Sequence, residues 1–103
     1  MNFSEYQTWA KALAIYPREY AIIYPAMGLA GEAGEVANKV KKLMRDGKLD
    51  KETVADELGD VLWYIATLAA DLELDMGDIA QRNMDKLNDR QARSALKGDG
   101  DKR

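Results

Sequence analysis

Residues 28–43 read Gly-Leu-Ala-Gly-Glu-Ala-Gly-Glu-Val-Ala-Asn-Lys-Val-Lys-Lys-Leu, and Leu29, Glu32, Val36, Val40 and Leu43 recur at steps of three or four. That step is the repeat of an α-helix, so these side chains form one stripe with a carboxylate in its middle. Glu35, three residues further on, is the surface neighbour of Glu32. Residues 54–68 repeat the device: Val54, Glu57, Val61, Tyr64 or Ile65, and Leu68 make a second stripe, and Asp60 follows Glu57 by three. An isolated charge in an apolar setting is costly, and like charges one turn apart repel as well, so both stripes call for a compensating positive group. Acidic pairs at helical spacing are common on solvated faces, but two pairs inside apolar stripes on consecutive antiparallel helices are much less so. If the helices pack face to face, Glu32, Glu35, Glu57 and Asp60 converge into an all-oxygen cluster.

Outward from these two helices, the 3.6-residue period dominates and no stretch alternates long enough to be a strand, so the fold class expected is all-α. A first helix near 4–15 carries Tyr6, Trp9, Leu13 and Ile15, with Ser4 and Gln7 as a capping box and Pro17 as its breaker. The second begins around Pro25, which either opens or kinks it, and runs to about Met44 before the turn Arg45-Asp46-Gly47. The third spans about 51–72, and Asp75 caps a fourth from 76 to about 96. The four form a bundle within one domain, 1–97, and 98–103 read as a flexible tail. Short as the chain is, it leaves apolar faces such as Trp63, Ile65, Ala66, Ala69 and Leu72 to be covered by copies of itself.

Composition narrows the chemistry. The chain has 103 residues with no cysteine and no histidine, so disulfides, thiolate sites and imidazole ligands are excluded and any metal sits on oxygen. Magnesium, with manganese as a substitute, suits carboxylates, water and phosphate oxygens. A di-iron bundle centre is the rival, but it relies on Glu-x-x-His pairs. A formal net charge of -3 argues against binding polymeric nucleic acid through a general positive field. No apolar run is long enough to span a bilayer and the first residues lack a signal pattern, so a soluble cytoplasmic protein without membrane partners is expected.

The stretches 28–37 and 56–64, Gly-Leu-Ala-Gly-Glu-Ala-Gly-Glu-Val-Ala and Asp-Glu-Leu-Gly-Asp-Val-Leu-Trp-Tyr, resemble the MazG-type nucleotide pyrophosphohydrolases of the all-α NTP-pyrophosphatase superfamily. The resemblance implies that Glu32, Glu35, Glu57 and Asp60 bind magnesium and carry catalysis. Asn83, Lys86-Leu87 and Arg90 are similar to a later element of the family, so the likeness extends over about 3–90. Position 31 departs from it, being glycine where many members carry a further acid. The implied reaction cleaves a nucleoside triphosphate between the α and β phosphates into monophosphate and pyrophosphate, as in house-cleaning of the nucleotide pool. Metal would bridge carboxylates to phosphates and activate water, with Glu32 or Glu35 as an alternative general base.

Lys39, one turn beyond Glu35, together with Asn83, Lys86 and Arg90, is expected to neutralise the phosphates, whereas Lys41 and Lys42 read as solvated surface. Trp9 and Tyr64, with Trp63 behind them, are the candidates for stacking on the base. The resemblance also implies a dimer or a dimer-of-dimers tetramer, with the first or fourth helix contributing to the base pocket. Two alternatives stand beside this reading: a phosphoribosyl-ATP pyrophosphohydrolase, and a helical interaction module without turnover.

Overall fold

The structure is a computed structural model that describes residues 1–93; the expected end of the last helix at 94–96 and the tail lie outside the described residues. Four α-helices follow one another, α1 (Phe3–Ala12), α2 (Ile23–Asp46), α3 (Lys51–Asp71) and α4 (Met76–Ala92), with a short 3-10 turn Arg18–Tyr20 between α1 and α2. There is no strand among the described residues, so the class is all-α as expected. No helix among them is long and apolar enough to cross a membrane.

The ends of α2 and α3 are set by local chemistry. Pro25 lies in the first turn of α2, where its missing N–H costs nothing, so it opens the helix and does not kink it. Gly47 closes α2 at φ 72°, a left-handed conformation that favours glycine, and its N–H donates to the Leu43 carbonyl at 2.8 Å. Asp50 then caps α3, accepting from the Thr53 N–H at 3.2 Å and from the Thr53 hydroxyl at 2.6 Å. These two caps leave a short link, so α2 and α3 form a tight antiparallel hairpin, the largest interface in the molecule.

The first helix differs from expectation at both ends. Asn2 is its cap, accepting from the Glu5 N–H at 2.8 Å, so Ser4 falls within the first turn and its hydroxyl donates to Asp75. Gln7 is buried and makes tertiary bonds in place of a capping bond. Its amide donates to the carbonyls of Ala66 and Leu74, at 3.2 and 2.8 Å, and its carbonyl accepts from the Met76 N–H at 2.9 Å. The helix stops at Ala12, and Leu13 and Ile15 stay exposed, because the chain turns there to place Tyr16 inside.

The core sits where α1 crosses α3. Ala10 and Ala66 are both fully buried, small enough for close approach of the two backbones, and Met76 closes the cluster with Tyr6, Leu62, Trp63 and Ile65 around it. The apolar face of α3 expected to await another subunit is thus largely covered by α1; Leu72 alone of that set remains exposed. One turn links α3 to α4, which is anchored at its start by Met76 and by the Asp75 cap, whereas Met84 and Leu87 further along are exposed. A radius of gyration of 16.2 Å, against about 13 Å for a compact chain of 100 residues, reflects this open arrangement.

Candidate metal centre

The α2–α3 hairpin brings Glu32, Glu57 and Asp60 together, with one carboxylate oxygen of each within 4.8 Å of the others. Glu32 and Glu57 are half-buried and Asp60 is exposed, so the group opens to solvent on one side. Glu35 points outward from the same helix and lies outside this trio, yet its charge still acts on Glu32. The Glu32 carboxyl is raised above the ordinary carboxylate range. A hydrogen bond with Glu57 is the largest cause, followed by burial and by the charges of Asp60, Glu57 and Glu35.

That donor set fits a divalent cation. Three carboxylate oxygens gather from two helices, no histidine or cysteine exists anywhere in the chain, and the crowded charges that raise the Glu32 carboxyl favour a positive group among them. Hard, oxygen-seeking ions such as magnesium and manganese match it.

One turn beyond the acids, Tyr64 packs on α2 at Gly28. A Cβ at position 28 would fall 2.5 Å from Cζ and 2.7 Å from Cδ1 of that ring, so glycine is required for the close approach. The other neighbours of Tyr64 are Trp63, edge-on at 5.2 Å, and Tyr24 at 6.4 Å. With one ring face against α2, Tyr64 is held as part of the wall. Trp9 is 55% exposed on α1, tilted against Tyr6 at 5.6 Å. Tyr6 reaches toward the acids: burial and the Asp60 charge raise its phenol.

A second carboxylate organises the connector between α1 and α2. Asp71, its side chain 6% exposed, accepts from the Tyr16 hydroxyl at 2.5 Å, from Arg18 at 2.9 Å and from the Ile22 N–H at 3.1 Å. Burial pushes its carboxyl up, but the bonds from Tyr16, Ile22 and Arg18 outweigh it and hold it below the usual range. Ile22 has φ 71°, a strained value for a β-branched residue, and the Asp71 bond holds it there at the start of α2. Tyr16 in turn stacks on Tyr24 at 4.7 Å, so a line of three tyrosines, Tyr16, Tyr24 and Tyr64, runs from the connector to the acids. Neither Asp71 nor Tyr24 stands out in the sequence, since their partners lie far from them along the chain.

The expected phosphate contacts divide. Lys39 is half-buried but lines a cavity toward the hairpin tip with Lys42, Asp46, Lys48, Asp50 and Thr53. Asn83 is exposed on α4, Lys86 is half-buried, and Arg90 is 3% exposed and engaged in contacts of its own. Their helix packs on α1 and α3.

A family model described as the MazG nucleotide pyrophosphohydrolase domain matches residues 25–94, a span that holds all four acids. The chain belongs to the MazG nucleotide pyrophosphohydrolase family. Among relatives, the Gene 37 protein of Mycobacterium phage L5 is 44% identical over 114 aligned residues, with 100% of each chain covered. No solved structure matches the chain significantly. MazG membership carries with it pyrophosphohydrolase chemistry on nucleotides and a general use of divalent metals, and the acidic trio is where this MazG chain would hold one. The match starts at Pro25, so α1 with Tyr6 and Trp9 lies outside it.

Proposed function

We propose that this MazG domain is a magnesium-dependent nucleoside triphosphate pyrophosphohydrolase, yielding a (deoxy)nucleoside monophosphate and pyrophosphate and serving to clean the nucleotide pool. The observation that carries the reading is the trio of Glu32, Glu57 and Asp60, gathered between α2 and α3 inside a MazG match.

Glu32, Glu57 and Asp60 hold the divalent cation. When bound, the ion supplies charge neutralisation of the triphosphate and polarisation of the α-phosphorus. Glu35, outside the trio and solvent-exposed, orients the attacking water and takes its proton. The water oxygen bonds to the α-phosphorus as the bridging α–β oxygen departs with pyrophosphate. Tyr64, locked by Gly28 and Tyr24, forms the wall beside the acids, and the exposed Trp9 offers a face to the base.

Association with copies of the chain, as a dimer or a tetramer, accompanies this reading. Tyr20, Ile23, Tyr24 and Met27 are all about half or more exposed around the start of α2, and Met84 lies open on α4. A monomeric sedimentation profile with full activity would refute it.

The primary test incubates the protein with a panel of NTPs and dNTPs plus Mg²⁺, with and without EDTA, and reads products by phosphorus NMR. Monophosphate plus pyrophosphate, abolished by EDTA, supports the proposal. Diphosphate plus phosphate, or no turnover of any triphosphate, overturns it.

A further inference from the structure

The α2–α3 hairpin carries polar groups along its length. The acids occupy its middle, and Tyr64 and Gly28 lie one turn away on one side. On the other side, toward the hairpin tip, is the cavity of about 310 Å³ lined by Lys39, Lys42 and Lys48 with Asp46, Asp50 and Thr53. At 1.5 Å rise per residue, Lys39 lies about 10 Å along α2 from Glu32, and Thr53 about 6 Å along α3 from Glu57.

The cavity's lining sets three lysines against two aspartates, a net positive group. Asp46 is taken by its neighbour Arg45, at 2.8 and 2.9 Å, and Asp50 is taken by the Thr53 cap. The three lysines form no hydrogen bond or ion pair with a described residue, although Lys42 draws the Asp46 carboxyl down and Lys39 contributes the same way at Asp50. Asp46 is lowered chiefly by Arg45, and Asp50 chiefly by Thr53. Three lysines therefore line an open space beside two carboxylates, and the Arg45 guanidinium on Asp46 adds a further positive charge next to it. The wider tip is basic too: residues 39–51 hold Lys39, Lys41, Lys42, Arg45, Lys48 and Lys51 against two acids, in a chain of net charge -3.

We propose that this lysine-lined cavity at the α2–α3 tip holds the terminal phosphates of the substrate, and so the pyrophosphate that leaves. The inference rests on the proposed pyrophosphohydrolase reading and adds a direction to it: base toward the tyrosine end, β and γ phosphates toward the tip. Ammonium groups on flexible stems suit a phosphate that must be both gripped and released. Lys42 and Lys48 become specificity determinants for a polyphosphate over a monophosphate.

The test measures binding, not turnover. Titration calorimetry with Mg²⁺ and pyrophosphate compares the wild type, the double variant Lys42→Ala with Lys48→Ala, and Lys41→Ala, whose side chain lies outside the cavity lining. All three positions are exposed, so the fold is undisturbed. Pyrophosphate affinity is expected to fall by about ten- to a hundredfold in the double variant, with nucleoside monophosphate affinity unchanged and Lys41→Ala matching the wild type. Equal pyrophosphate affinity in the double variant and the wild type, or no pyrophosphate binding to the wild type, overturns the proposal. Triphosphate hydrolysis is measured separately, so its absence would sink the pyrophosphohydrolase reading while the titration still decides whether the cavity binds pyrophosphate.

Discussion

Replacing Gln7 by leucine keeps the bulk of the side chain and removes every bond that ties α1 to the α3–α4 junction through this residue. Gln7 is 8% exposed, and its amide serves Ala66, Leu74 and Met76 at once. The Ala66 carbonyl lies within α3 and keeps its helical bond, but the Leu74 carbonyl and the Met76 N–H lose the partner Gln7 provides. Each orphaned group costs about 1–3 kcal/mol, and the added apolar burial of leucine offsets roughly 1 kcal/mol. For the two groups together the expected net loss is about 1–5 kcal/mol, a sizeable share of the roughly 5–15 kcal/mol of a typical domain. For a chain of this size it corresponds to a fall in Tm on the order of 4–40 °C. Urea and thermal unfolding followed by circular dichroism, at fixed protein concentration so that association does not intrude, measure it directly. Gln7→Glu sharpens the test, since a carboxylate still accepts from Met76 but confronts two carbonyl oxygens. Its native pKa is therefore raised, and its deficit at pH 7 should shrink as the pH falls through that value and the protonated acid donates to Leu74. A Gln7→Leu variant within about 0.5 kcal/mol of the wild type, or a Gln7→Glu variant whose deficit ignores pH, would mean that these bonds do not hold α1 in place.

Glu57→Gln should abolish most turnover and weaken magnesium affinity while leaving Tm in EDTA unchanged or higher, because the trio then holds one charge fewer; calorimetry and thermal scans decide it. Glu35→Gln should lower turnover as severely but retain Mn²⁺ binding, measured by electron paramagnetic resonance, and a parallel loss of both would move Glu35 among the metal ligands. Gly28→Ala gains up to about 1 kcal/mol of helix propensity but drives a methyl into the Tyr64 ring, at an overpacking cost of roughly 1–3 kcal/mol. A lower Tm and an altered tyrosine signal in the near-ultraviolet circular dichroism are expected. Asp71→Asn should cost about 1–3 kcal/mol at pH 7. The native carboxyl lies below its ordinary value of 3.8, so its contribution is present above that pH and is lost only as the pH falls through the lower native value; the variant and wild-type stabilities should draw together below pH 3.8.

What the sequence discloses and what it hides follow one physical line. The hairpin was legible because both helices carry their stripes in full view, and Gly47, Asp50 and Asp75 act through neighbours three or four residues away. Glu32, Glu57 and Asp60 share a face for the same reason. Gln7 misled because a glutamine three residues after a serine satisfies a local capping pattern, while its partners lie 59 to 69 residues away. Asp71 and Tyr24 are invisible on the same grounds: periodicity tells which face a side chain occupies, never what arrives to meet it. Lys39 shows the limit in another form. Its place one turn from Glu35 can be read from the spacing, but the cavity it lines with Lys42 and Lys48 cannot, since that depends on how the chain reverses at Gly47.

Asp60 and Asp71 are eleven residues apart on α3, one at the acidic trio and the other anchoring the connector. Eleven residues make just over three helical turns, so both carboxylates leave the helix in nearly the same direction. Losing or gaining a single residue between them would rotate one by about 100° relative to the other, parting Asp71 from Tyr16 and Ile22 or swinging Asp60 out of register with Glu32. Between Asp60 and Asp71, then, a substitution is a local event, whereas a change of length by one residue is felt at both ends of the helix at once.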